Sequence, residues 1–137
     1  MKYPVKVTIS GNNNLVTSRH FGAVNTISTS LDDALKDAFS IIKSEFMQSM
    51  LERQSIPIPD FILDDEQYIL IPLNIAAKVY LFNALIELKV SDLDLSNRMK
   101  LSVTQVGHLY SLEYTTKIEV LEEAFFALGL ELDLQVI

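Results

Sequence analysis

Only two histidines, His20 and His108, and no cysteine are present to support nucleophilic or metal chemistry. A hydrolytic triad needs a histidine beside a serine or cysteine with a carboxylate behind it, and neither histidine lies in such a motif. His20 falls in a stretch that reads as strand or turn and is expected to be a polar surface residue rather than a base. The two are far apart in sequence with no clustered acids at ligand spacing, so no metal and no cofactor is implied. The paired acids Asp32 and Asp33, Asp64 and Asp65, and Asp92 and Asp94 sit in loops and at helix starts, where acids ordinarily serve as caps. The chemistry left to the chain is recognition. The segment that best fits it runs Asp94-Leu95-Ser96-Asn97-Arg98-Met99, a short turn, then Ser102-Val103-Thr104-Gln105-Val106-Gly107-His108-Leu109.

That segment has the pattern of a helix-turn-helix. Leu95 and Met99 face inward from the first helix and Val106 and Leu109 from the second, with Ser96 a small residue at the crossing and Ser102 a cap for the second helix. A purely structural helical hairpin shares this pattern. If the second helix enters a major groove, Thr104, Gln105 and His108 lie on its exposed face and read bases, because a glutamine amide can bond adenine through two atoms. Ser102, Thr115 and Lys117 then position the protein on phosphates, which carries no sequence information.

The elements that must hold this segment follow from periodicity. Tyr3, Val5, Val7 and Ile9 alternate with Lys2, Lys6 and Thr8, as in a strand with one buried face. Gly11 to Asn14 predicts a turn, Leu15 to Ser18 a hairpin partner, and Phe21 to Ile27 a third strand. Ser30 and Asp33 predict a helix N-terminus. Leu31, Ala34, Leu35, Ala38, Ile41, Ile42, Phe46 and Met50 supply its apolar stripe, and an end is expected near Arg53, before Ile56-Pro57-Ile58-Pro59. Gln67 to Ile71 predicts a fourth strand, stopped by Pro72. From Leu73 the period is helical through four short helices, the last capped by Gly129. Leu130, Leu132, Leu134 and Val136 then alternate with polar residues as a final strand. The division expected is 1–65, with strand 67–71 closing its sheet, and 72–137.

Composition bounds the function. With 137 residues, 49% apolar, the chain can bury a real core. The net charge of −7 argues against a protein that simply coats nucleic acid, since such binding draws on Lys and Arg neutralising phosphates. Residues 66–137 carry five basic and ten acidic side chains, so DNA binding there must be local and geometric. Met1 to Ile9 lacks the pattern of a secretory signal and no apolar run approaches the roughly 20 residues of a membrane helix. A cytoplasmic protein without membrane contact is expected.

A β-β-β-α-β order invites comparison with ribonuclease H-like enzymes, whose two-metal chemistry needs carboxylates projecting from strands. Met1 to Ile27 contains no Asp or Glu, which closes that option. The whole chain resembles the HicB antitoxins of the subtype with a C-terminal helix-turn-helix. The stretches that carry the likeness are Met1-Lys2-Tyr3-Pro4-Val5, Asp32 to Phe39, Ile56-Pro57-Ile58-Pro59, Ile71 to Val79, Ala84, Arg98, and Thr115-Thr116-Lys117-Ile118 through Ala127-Leu128-Gly129. Two features depart from the family's usual pattern. Lys100 stands at the turn where glycine is common, and the hairpin after Gly11 is short and rich in asparagine.

The resemblance implies an α+β protein, a degenerate ribonuclease H-like toxin-binding domain followed by an all-α DNA-binding domain. It implies no enzyme but an antitoxin that binds and hides a small HicA-like ribonuclease toxin and acts as transcription repressor at operator DNA of its own promoter. A homodimer or higher even-numbered oligomer is implied, and the final strand, Leu130, Leu132, Leu134 and Val136, is expected to pair with its copy in a second subunit. Acidic Asp32, Asp33 and Asp37 are candidates to attract the basic partner. The competing readings are a stand-alone repressor whose N-terminal domain senses a ligand or protein, and a structural interaction module. A neighbouring short reading frame for a basic protein separates the first reading from both, and failure to bind upstream DNA at low salt favours the module.

Overall fold

β1 (Lys2–Ser10) buries Tyr3, Pro4 and Val5, half-buries Val7 and exposes Lys2, Lys6 and Ile9, so the expected buried face is confined to the strand's first half. It pairs antiparallel with β2 (Asn13–Thr17) from Lys6 onward and with β4 (Gln67–Leu70) before it. Pro4 is tolerated mid-strand for this reason. The Ile71 N–H donates to the Met1 carbonyl, which makes Pro4↔Tyr68 a non-hydrogen-bonded pair, so the missing proton of Pro4 would have pointed away from β4 where β2 has not yet begun. The Gly11-Asn12 loop joins the paired residues Ser10 and Asn13, with Gly11 at φ +60 in the first central position. β3 (Asn25–Ser28) completes a four-stranded antiparallel sheet of order β3-β2-β1-β4.

In this computed structural model, which describes Met1–Ile137, the chain forms two compact units. The first comprises Met1–Glu52 and Ile56–Pro72, the second Arg53–Ser55 and Leu73–Ile137. In the first, α1 (Leu31–Leu51) packs on β2 and β3 through Ala34, Ala38, Ile42, Phe46 and Met50, one residue per turn. Ser30 caps it, its Oγ accepting from the Asp33 N–H. Tyr3, Phe21 and Phe46 form an aromatic cluster with centroids 5.5 to 5.9 Å apart. The segment after Ile56 is held rather than folded. The Tyr3 hydroxyl donates to Pro57 O at 3.0 Å, and Arg19 bonds both Phe61 O and the Glu66 carboxylate.

The predicted third strand, Phe21 to Ile27, is corrected to Asn25–Ser28. Ser18 Oγ accepts from the amides of His20 and Phe21, and Val24 N–H closes on Phe21 O, so Phe21 and Val24 reach the core from turns. Both are apolar and buried, which mimics a strand in sequence.

The second unit is helical: α2 (Leu73–Glu87), α3 (Asp92–Met99), α4 (Val103–Tyr110) and α5 (Ile118–Ala127). Leu81, Leu85, Leu95, Val106, Leu109, Leu121, Ala124 and Phe125 share one buried core, each Leu contributing about 1.5–3 kcal/mol. After α5, Gly129 takes φ +76 while its N–H bonds Phe126 O and that of Leu130 bonds Phe125 O, the Schellman pattern expected of a glycine there. The final strand does not form within the chain. Residues 131–137 have no regular secondary structure; Leu132 packs against the helical core while Leu130, Leu134 and Val136 are exposed. A strand needs a ladder partner, and this all-helical unit offers none.

Candidate nucleic-acid interface

α3 and α4 are each set by the residue that precedes them. Ser91 and Asp94 exchange side-chain and backbone bonds as a capping box at the start of α3, and Ser102 and Gln105 do the same for α4 at 3.1 and 2.8 Å. Between them Lys100 adopts φ 58, and the Leu101 N–H turns back to Ser96 O. The turn therefore demands the left-handed conformation that glycine adopts freely and lysine adopts at a cost of about 1 kcal/mol. Ser96, 4% exposed, is the small residue of the crossing, its hydroxyl donating to Leu93 O.

Thr104, Gln105 and His108 all lie exposed on α4, opposite buried Val106 and Leu109. Their surroundings differ. The Gln105 carbonyl oxygen already accepts the Ser102 N–H, so its amide hydrogens are the atoms best placed for a partner. His108 stacks on Tyr114, ring centroids 4.3 Å apart. Ser102 Oγ accepts the Gln105 N–H as the cap, which leaves its hydroxyl hydrogen to donate elsewhere. Thr115 is exposed, and Lys117 stands at the N-cap of α5 without a side-chain capping bond. Arg98 donates to Ala127 O at the end of α5.

Sequence reading missed the two residues that shape the loop between α4 and α5. Lys78, on α2, is 0% exposed, and its ammonium donates to Ser111 O at 2.7 Å and to Tyr114 O. Burial pushes its pKa down. Asn74, one turn earlier, donates to Thr116 O and accepts the Thr116 N–H. The available signal was a single charge inside the apolar run Ile75-Ala76-Ala77-Lys78-Val79. A lysine inside an apolar run needs buried acceptors.

The paired acids resolve into structural roles. Asp94 completes the α3 cap, while Asp92 accepts from the Tyr110 hydroxyl at 2.8 Å and lies 3.5 Å from Arg53, burial and the carboxylate together pushing the Tyr110 pKa up to about 12. Asp65 lies 3.6 Å from Lys6. Asp32, Asp33 and Asp37 are exposed in the first two turns of α1. His20 is half-buried beside the Tyr3 ring, not on the open surface; burial foremost, with Arg19 adding to it, pushes its pKa down. No group of three or more His, Cys, Asp or Glu is arranged to hold a metal ion, and no helix is long and apolar enough to cross a membrane.

Comparison with known proteins gives a consistent likeness. A family described as "HicB_like antitoxin of bacterial toxin-antitoxin system" matches residues 2–80. Antitoxin HicB 1 of Photorhabdus laumondii is 29% identical over 105 residues, covering 77% of this chain and 66% of the relative. Antitoxin HicB of Escherichia coli strain K12 is 27% identical over 135 residues, 98% of each chain. Antitoxin HicB 2 of P. laumondii is 28% identical over 134 residues, 98% of this chain and 95% of the relative.

Proposed function

This chain belongs to the HicB-like antitoxin family, and from that premise we propose that it is the non-enzymatic antitoxin of a HicAB-type pair. Its N-terminal unit binds and occludes a small HicA-like ribonuclease, and its helical unit represses the pair's own promoter through a helix-turn-helix formed by α3 and α4. The observation that carries the antitoxin role is the family match over residues 2–80, which takes in the whole sheet and α1.

The N-terminal unit is then a degenerate ribonuclease H-like domain. Its β1–β3 region, residues 1–27, holds no Asp or Glu, so the carboxylates that two-metal hydrolysis requires have no source there. Exposed Asp32, Asp33 and Asp37 on α1 would favour approach of a basic RNA-binding partner. On the helical unit, Thr104, Gln105 and His108 face the major groove, with Ser102, Thr115 and Lys117 against phosphates. The exposed tail Leu130, Leu134 and Val136, with Leu132, pairs with its copy to make a two-fold dimer, which spaces two recognition helices by about one DNA turn, roughly 34–36 Å.

The test is co-purification of this chain with the product of its neighbouring small reading frame. A tight complex is expected. No complex, together with sequence-specific binding of upstream DNA, would replace this reading with a stand-alone repressor.

A further inference from the structure

Tyr114 is 48% exposed, yet its backbone is fastened from beneath. The ammonium of fully buried Lys78 donates to its carbonyl and to that of Ser111, and Asn74 holds both backbone groups of Thr116 two residues on. None of the chain's ion pairs includes Lys78. Burying an ammonium against carbonyls alone is an expensive way to close a loop, because desolvation of the charge is offset only by those bonds. The outlay goes to fixing the geometry of this one turn.

What the turn presents is an aromatic ring. The Tyr114 ring stacks on His108 at 4.3 Å with 31° between planes, on the exposed side of α4. An imidazole at an exposed helical position ordinarily samples several rotamers, and ordering it on contact would weaken binding. A ring held from its backbone removes that freedom in advance while the His108 side chain stays exposed to a partner.

We propose that Tyr114, tethered through Lys78, is a positioning residue that holds the His108 imidazole in one orientation for reading a base edge. The proposal rests on the reading of the helical unit as a DNA binder. Tyr114 itself needs no contact with a base; it acts through His108.

The experiment uses the full-length chain and a set of duplexes from the DNA upstream of its reading frame, each changed at one base pair. His108→Ala should lose discrimination at one position. Tyr114→Leu should lose about three- to tenfold at that same position, the equivalent of one side chain that must be ordered on binding. Tyr114→Phe, which keeps the ring, should restore wild-type discrimination, and Tyr114→Leu with His108→Ala should bind like His108→Ala alone. The imidazole proton resonances of free Tyr114→Leu should shift relative to wild type as the ring current is lost, while Tyr114→Phe keeps them in place. Wild-type discrimination in Tyr114→Leu, or an equal loss on every duplex, would overturn the positioning role while leaving DNA binding standing. Failure of the wild type to bind any of these duplexes would overturn both.

Discussion

The two units place their side chains by opposite means. In the helical unit the candidate recognition residues are set by bonds three positions apart, Ser91 with Asp94 and Ser102 with Gln105, and by a left-handed residue between the helices. In the sheet unit, Tyr3 meets Phe46 and Pro57 O, and Arg19 meets Phe61 O and Glu66 more than 40 positions away. A site built from local caps can be located from a short stretch of sequence. A surface built from strands that meet at long range cannot, and the sheet unit proposed to hold the toxin belongs to this second kind.

This contrast can be broken most severely at Phe46. Phe46→Ala removes a fully buried ring that touches Tyr3 and Phe21 and should cost about 3–5 kcal/mol. Amide exchange should accelerate across β1–β4, and co-purification with the toxin partner should be lost. A smaller effect is expected from Lys78→Met, which strips the donor from Ser111 O and Tyr114 O at about 2 kcal/mol. Exchange should rise at residues 111–117 and stay unchanged in β1–β4; uniform acceleration would count against a local brace. The same variant checks the titration. Because the pKa of Lys78 is lowered from 10.5 by burial, the unfolded chain binds more protons than the folded one in the window between. Wild type should therefore gain stability relative to Lys78→Met as pH rises from that lowered value toward 10.5. A relative loss would mean that the folded state favours the ammonium.

The smallest expected change is a gain. Lys100→Gly relieves a left-handed lysine at φ 58 and should stabilise the helical unit by about 1 kcal/mol, read as a rise in its unfolding midpoint. Destabilisation would show that the lysine side chain contributes contacts outweighing the backbone strain.

Legibility in the sequence followed the same division. α1, its Ser30 cap, the proline segment, all four later helices and the glycine cap after α5 were readable because each depends on neighbouring residues or on a periodic stripe. β3 was placed too early because Phe21 and Val24 are buried from turns, and burial alone does not separate a turn from a strand. The final strand is expected from alternation alone, and residues 131–137 find no ladder partner within the chain. On α4, the exposure of Thr104, Gln105 and His108 was legible by helical phase. The roles of Lys78, Asn74 and Tyr114 were not, because Lys78 meets Ser111 and Asn74 meets Thr116 across 33 and 42 positions.

The antitoxin assignment is tested most directly by growth rescue, with the neighbouring small protein produced alone, with the wild-type chain, and with a chain carrying Gln105→Ala and His108→Ala. Both forms of the chain should restore growth if toxin occlusion belongs to the sheet unit, because the two substitutions lie in the helical unit, where they remove one capping bond of α4 and the ring contact with Tyr114. Toxicity that the wild-type chain leaves unrelieved, or a small protein with no toxicity to relieve, would contradict the assignment.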